Sequence, residues 1–243
     1  MDKKTVTELR SEKYRKYFCL PYLMGPNSVR LLDEMLDMCP LQYTADNNIL
    51  DLGCGSGLTS LYMAVETGAT LYAADLWIPE EDNRKRIEEW GLPDRIIPVH
   101  SGADELPFDS RYFDAIISID SFHYFGGKNG YFSDKILPFL KPGGTALICV
   151  PGIKAKYEGR SASFLGSWLG EEAELFKSAD EWKRLIGIHR DIVEVKTWEL
   201  FGFYIPWQEW FDTLHEYALR DKQFFDTVIR PFTCFVGIVV KKR

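Results

Sequence analysis

Two observations predict an α/β fold built on a mostly parallel sheet. Short apolar runs alternate with helical patterns from about residue 48 to residue 150, and the first run ends in a glycine-rich turn that opens a helix. Strands that alternate with helices give parallel strands covered on both faces.

The elements follow in order. Residues 1–28 mix charges with Tyr14, Tyr17, Phe18 and Tyr22, and suit a helix broken by Pro21 and Gly25-Pro26. Ser28 to Met38 places Val29, Leu32 and Leu36 on one face, an amphipathic helix stopped before Pro40. Asn48–Leu52 reads as a strand, Gly53–Gly57 as a turn and Leu58–Thr67 as a helix ended by Gly68. Thr70–Ala74, Arg95–His100, Tyr112–Ile119 and Thr145–Val150 read as further strands. Between them Pro79–Trp90 is a charged helix ended by Gly91, and Tyr131–Leu140 a helix stopped by Lys141-Pro-Gly-Gly144. The rhythm breaks at Pro151-Gly152. Beyond it the pattern predicts a helix at Ser178–Ile186 with Ser178 and Glu181 as its capping box, a strand at Ile192–Leu200, an aromatic helix at Trp207–Leu219 and a last strand at Thr233–Val240. One domain over 1–243 is the simplest organisation, with a helical cap at 1–28 and an insert at 151–190 that reads as a substrate lid.

Composition narrows the function. The 243 residues are 46% hydrophobic and 27% charged, with a net charge of -7. No basic stripe offers a surface to phosphates, so nucleic acid is not an expected partner. Five cysteines, with no CxxC pair, read as reduced thiols of a cytoplasmic protein. The first residues carry no apolar signal core. The runs at Ile116–Ile119 and Phe235–Val240 are too short to span a bilayer, so no membrane span is expected. The four histidines are dispersed and no metal site is expected. Monomer and homodimer are both open.

The chemistry sits on Ile49-Leu-Asp-Leu-Gly-Cys-Gly-Ser-Gly57. A glycine turn between strand and helix lets a ligand approach the backbone and aims N–H groups at it. A dinucleotide site would read Gly-x-Gly-x-x-Gly. Here Gly53, Gly55 and Gly57 give Gly-x-Gly-x-Gly, two residues after Asp51. A carboxylate there repels a pyrophosphate and attracts an ammonium or sulfonium. Asp75 ends the second strand, where an acid can accept hydrogen bonds from both hydroxyls of a ribose, and Leu76 and Trp77 follow it.

These residues resemble motif I and the ribose acid of class I S-adenosylmethionine (SAM)-dependent methyltransferases, in particular the small-molecule branch that includes ubiquinone- and menaquinone-biosynthesis enzymes. Leu106-Pro-Phe-Asp-Ser-Arg-Tyr-Phe-Asp114 and Leu140-Lys-Pro-Gly-Gly144 resemble their later motifs, in the same order, over residues 28–150. The resemblance implies a Rossmann-like, doubly wound sheet of seven strands with the last antiparallel. It implies SAM as methyl donor, S-adenosylhomocysteine (SAH) as product and a small-molecule acceptor. It places Asp51 near the methionine ammonium, Gly53, Cys54 and Gly55 along methionine and ribose, Asp75 and Leu76 at ribose and adenine, Gly102, Ala103 and Asp104 at the adenine edge, and Asp120 beside the donor. Relatives often read Gly-Asp-Ala where this chain reads Ser101-Gly102-Ala103-Asp104, which leaves adenine recognition by a side chain open.

Ligands of such folds lie at the carboxyl ends of the strands. Asp120, His123 and Tyr124, at the end of the fourth strand, are therefore the candidate catalytic residues on the acceptor side; the alternative is that His123 and Tyr124 only pack or cap. Tyr14, Tyr17, Tyr22, Trp168, Trp182, Tyr204, Trp207 and Trp210 are candidate acceptor walls, although Trp207, Trp210, Phe211 and Leu214 also have the spacing of a buried helix face. The competing functions are a SAM-binding regulatory or scaffold protein without transferase activity and another SAM-fold transferase.

Overall fold

The computed structural model describes residues 10–40 and 42–243. The part of the N-terminal cap at 1–9 lies outside the described residues. Seven strands form one sheet in the order β3-β2-β1-β4-β5-β7-β6: β1 Asn48–Leu52, β2 Thr70–Asp75, β3 Ile96–His100, β4 Phe113–Ile119, β5 Leu140–Ile153, β6 Ile192–Glu199 and β7 Thr233–Lys242. β1 to β5 pair parallel. β7 runs antiparallel between β5 and β6, from Thr145 opposite Lys241 to Ile153 opposite Thr233.

Strand β1 shows why the sheet is covered on both faces. Ile49 packs with Leu32, Met35, Leu71 and Ile117 on one side, under helices α1 Ser28–Met38 and α2 Leu58–Thr67. Leu50 and Leu52 pack with Ile116, Phe122 and Trp182 on the other, under α5 Ala179–Ile186. The period of two divides neighbouring residues between two cores.

Local chemistry sets the helix ends. Asn27 caps α1 by accepting from the N–H groups of Val29 and Arg30. Gly68, at φ 73°, ends α2 and donates its N–H to Ala64. The capping box of α5 is complete: Ser178 Oγ accepts from Glu181 N at 3.1 Å, and Glu181 Oε2 accepts from Ser178 N at 2.7 Å. A charged helix, α3 Glu80–Glu89, follows β2.

Three expectations need correction. Tyr131–Leu140 is not one helix: a π-turn at Phe132–Ile136 tightens into a 3-10 turn at Leu137–Phe139, because Pro138 has no N–H to continue the ladder. Lys141-Pro-Gly-Gly144 then lies within β5 rather than in a loop before it. The aromatic helix at Trp207–Leu219 is two helices, α6 Tyr204–Asp212 and α7 Glu216–Phe224. Leu214 turns left-handed between them at φ 57°, and His215 Nδ1 accepts from Tyr217 N as the new cap. The segment after β5 also holds a helix, α4 Ser161–Leu169, whose serines and Gly166 are poor helix formers and hid it from the sequence. Its Leu165 packs against Ala173, Phe176 and Val228.

Candidate active site

A cavity of about 570 Å³ opens at the carboxyl ends of β1, β2 and β4. Its floor is the turn after β1. Gly53 and Cys54 donate their N–H groups to Ala74 O at 2.8 and 3.1 Å, which locks the turn to the end of β2. Gly53, Gly55 and Gly57 have φ of 73°, 54° and 82°, a region that side chains disfavour. Any Cβ on Gly53 would overlap the Ser121 side chain, and one on Gly55 would lie 3.1 Å from Met24 Sδ.

Asp75 lines the cavity. Its Oδ2 accepts from Gly55 N at 2.8 Å, and its Oδ1 from Trp77 N and Ile78 N at 2.7 and 2.9 Å. A carboxylate offers about four acceptor directions, so three backbone bonds hold its orientation and leave capacity for a ligand. Leu76, Trp77, Ser101, Gly102, Ala103, Asp104 and Glu105 form the outer wall, and Trp77 meets Tyr124 edge-on at 5.1 Å.

Asp51 lies beneath the turn, only 1% exposed, and does not line the cavity. Thr59 and Ser60 hydroxyls donate to its Oδ2 at 2.6 Å each, while Oδ1 is buried without a partner. Burial raises this carboxyl to about 6. Asp51 is thus a buried carboxyl next to the turn rather than a surface residue of the cavity.

Asp120 closes the inner wall. It takes a left-handed conformation at φ 60°, with its N–H on Cys149 O at 2.7 Å. Burial, with the negative charge of Asp221 behind it, raises its carboxyl to about 7. Tyr124 lines the cavity beside it. His123 does not: it is 5% exposed, packed on Tyr124 and Phe176, with Nδ1 unpartnered. Burial drives its pKa down to about 3, so the ring is neutral. The three candidate catalytic residues are thus not brought together; Asp120 and Tyr124 face the cavity and His123 supports it from behind.

Sequence reasoning missed the segment Leu23–Pro26, Ser121 and Glu105, all of which line the cavity. Ser56 Oγ donates to Tyr22 O at 2.6 Å and ties the N-terminal segment over the turn. The Gly25-Pro26 break was the available signal: a Cβ on Gly25 would come 2.9 Å from Asp120 Oδ2. No residue of the insert at 151–190 lines the cavity. Trp182, Trp207 and Trp210 are buried in the cores, Trp168 packs on Trp207 and Phe176, and Tyr204 stands exposed against Phe225. Of the expected acceptor walls only Tyr22 reaches the cavity; Tyr17 stacks behind it, and Tyr14 is buried against Tyr62.

Residues 49–144, which hold the glycine turn, Asp75 and Asp120, match the family model of a methyltransferase domain. These residues carry the pattern of a methyltransferase domain. The chain is similar to a demethylmenaquinone methyltransferase of Clavibacter sepedonicus, 36% identical over 122 residues that cover 47% of each chain. It is similar to a sarcosine/dimethylglycine N-methyltransferase of Aphanothece halophytica, 30% identical over 127 residues that cover 51% of this chain and 44% of that one. The matched region spans less than half the length of these relatives. In structure it resembles geranyl diphosphate C-methyltransferase of Streptomyces coelicolor A3(2), solved with Mg2+, geranyl diphosphate and SAH, at a TM-score of 0.69 and 17% identity over 88% of this chain and 80% of that chain. At that identity the likeness concerns the fold. Among the described residues no group of three or more His, Cys, Asp or Glu side chains is placed to hold a metal ion, and no helix is long and apolar enough to cross a membrane.

Proposed function

We propose that the protein binds SAM in this cavity and transfers its methyl group in line to a small-molecule acceptor. The observation that carries the reading is the cavity itself: it runs from Asp75 across the glycine turn to Asp120, room for donor and acceptor side by side. Its volume is in the range of small-molecule sites. The residues present fit SAM. The turn is a cradle that Cβ atoms would fill, Asp75 keeps capacity for a ribose diol, and the unpartnered Asp51 Oδ1 supplies negative charge for a cationic ligand. In this reading Gly53, Cys54 and Gly55 hold methionine and ribose, Leu76, Gly102, Ala103 and Asp104 hold adenine, and Asp120 and Tyr124 face the acceptor. The bound donor supplies an activated methyl group; the protein's part is to position the acceptor and exclude water. The five free cysteines favour work in a reducing compartment such as the cytoplasm.

Calorimetric titration with SAM, SAH and NAD tests the proposal. SAM and SAH should bind and NAD should not; binding of NAD alone would sink it. Release of labelled methyl from SAM into a metabolite pool then separates an enzyme from a SAM-binding scaffold.

A further inference from the structure

The cavity is charged on one side only. Asp75, Asp104, Glu105 and Asp120 line it, and among the described residues no Lys, Arg or His does. These four acids are not equivalent. Asp75 is engaged with the N–H groups of Gly55, Trp77 and Ile78. Asp104 stands at the open edge, 3.8 Å from Lys135 Nζ, and Glu105 is exposed next to it. Asp120 is on the inner wall, and no described side chain or N–H donates to its carboxylate. The charge that bears on it is another carboxylate, Asp221. Asp221 is itself satisfied, by Trp168 Nε1 at 2.9 Å, Trp210 Nε1 at 3.2 Å and Arg220 at 3.1 Å.

An unpaired carboxylate with a second one behind it repels a carboxylate, phosphate or diphosphate ligand and attracts an ammonium. The rings of Tyr22, Trp77 and Tyr124, which line the same cavity, act in the same sense, because aromatic faces attract cations. We infer that the methyl acceptor is an amine whose nitrogen is received by Asp120. The inference rests on the reading of the cavity as a methyl-transfer site. The amine enters as an ammonium and passes one N–H proton to the Asp120 carboxylate. The freed lone pair then forms the new N–C bond to the methyl carbon, and the S–CH3 bond breaks with its electron pair going to sulfur, which leaves neutral SAH and a methylated ammonium. Asp120 is unpartnered in the protein because its partner is the substrate.

Binding can be measured on the full chain saturated with SAH, so that the donor's own ammonium is already satisfied. The probes are choline, its neutral isostere 3,3-dimethylbutan-1-ol and the anionic 3,3-dimethylbutanoate. Choline should bind about tenfold or more tighter than the neutral isostere, which is an ordinary value for one partly desolvated ionic contact, and the anion should not bind. In Asp120→Asn, resaturated with SAH, the preference for choline should fall to near one. Equal binding of the three probes, binding of none of them, or a preference that survives in Asp120→Asn overturns the proposal. If SAH itself does not bind, it is the underlying reading of the cavity that fails. In a second measurement, with labelled SAM, transfer to primary and secondary amines but not to matched alcohols and thiols is expected; transfer to the oxygen or sulfur acceptors alone overturns it.

Discussion

Asp51 and Asp75 are acids of the neighbouring strands β1 and β2, and the fold uses them differently. Asp75 faces the cavity with its charge stabilised by three N–H groups; Asp51 is buried with one oxygen unpaired. Burial raises Asp51 to about 6, above the ordinary carboxylate value, because a buried charge is costly. Its contribution to stability is present below the usual carboxylate value of about 4 and is lost as pH rises through 6, a change of roughly 2–3 kcal/mol. A bound cation favours the ionised form. SAH affinity should therefore weaken as pH falls from 7 to 5, by up to about tenfold per unit below 6, and Asp51→Asn should flatten that dependence; an affinity in the parent protein that is flat across this range would remove Asp51 from the site. Asp75→Ala loses the ribose acceptors at about 1 kcal/mol or more each, so calorimetry should show SAH binding weakened at least about tenfold. Unchanged affinity in that variant would count against Asp75 as a ligand residue.

Helix α5 is an element whose sequence and structure agree closely. Ser178, Asp180 and Glu181 announce its start, and the box they form holds Trp182 fully buried, 5.8 Å from Phe122 in the turn that follows Asp120. Ser178→Ala should cost about 1 kcal/mol and lower Tm by roughly 2–4 °C, with SAH affinity unchanged, as thermal unfolding and calorimetry would show. The junction of α6 and α7 is the opposite case. Trp207, Trp210, Phe211 and Leu214 have continuous helical spacing, yet Leu214 is exposed and left-handed. No local signal marks the break, because the spacing of apolar residues does not record φ. A leucine there carries about 1–2 kcal/mol of steric strain that glycine would avoid, so Leu214→Gly should raise Tm slightly; a fall in Tm would show that the leucine side chain contributes packing that its exposure conceals.

At the scale of the whole molecule, the segment before α1, α1 itself and helix α6 are tied together across a long stretch of sequence. Arg30, on α1, bonds Glu209 on α6 at 2.7 Å and Ser11 at 3.0 Å, and Asn27 bonds Glu209 at 2.7 Å. Asp33 takes Ser11 N and Oγ at 3.0 and 2.7 Å and Tyr62 at 2.7 Å. This buried network fixes the ends of the segment Tyr22–Pro26 that roofs the glycine turn. Arg30→Met should strand Glu209 and cost about 3–5 kcal/mol, near 10 °C in Tm. SAH affinity should fall as well, because the roof loses its anchor; an affinity unchanged at a temperature where the variant is folded would separate the roof from the site.

The sequence by itself determined the sheet and the glycine turn that floors the cavity. Those features depend on short-range chemistry: β1's apolar run, glycines that accept positive φ, and an acid at the end of β2 all lie in one stretch and carry their own spacing. Only the tertiary structure decided which candidate side chains face that cavity. His123 and Tyr124 are neighbours in sequence, yet one is buried behind the wall and the other lines it. Trp182, Trp207 and Trp210 looked like an acceptor wall and are core, while Met24 and Gly25, with no chemistry to announce them, line the cavity. The direction of a side chain and the meeting of distant segments depend on how the two cores close around the sheet, and no local spacing encodes that.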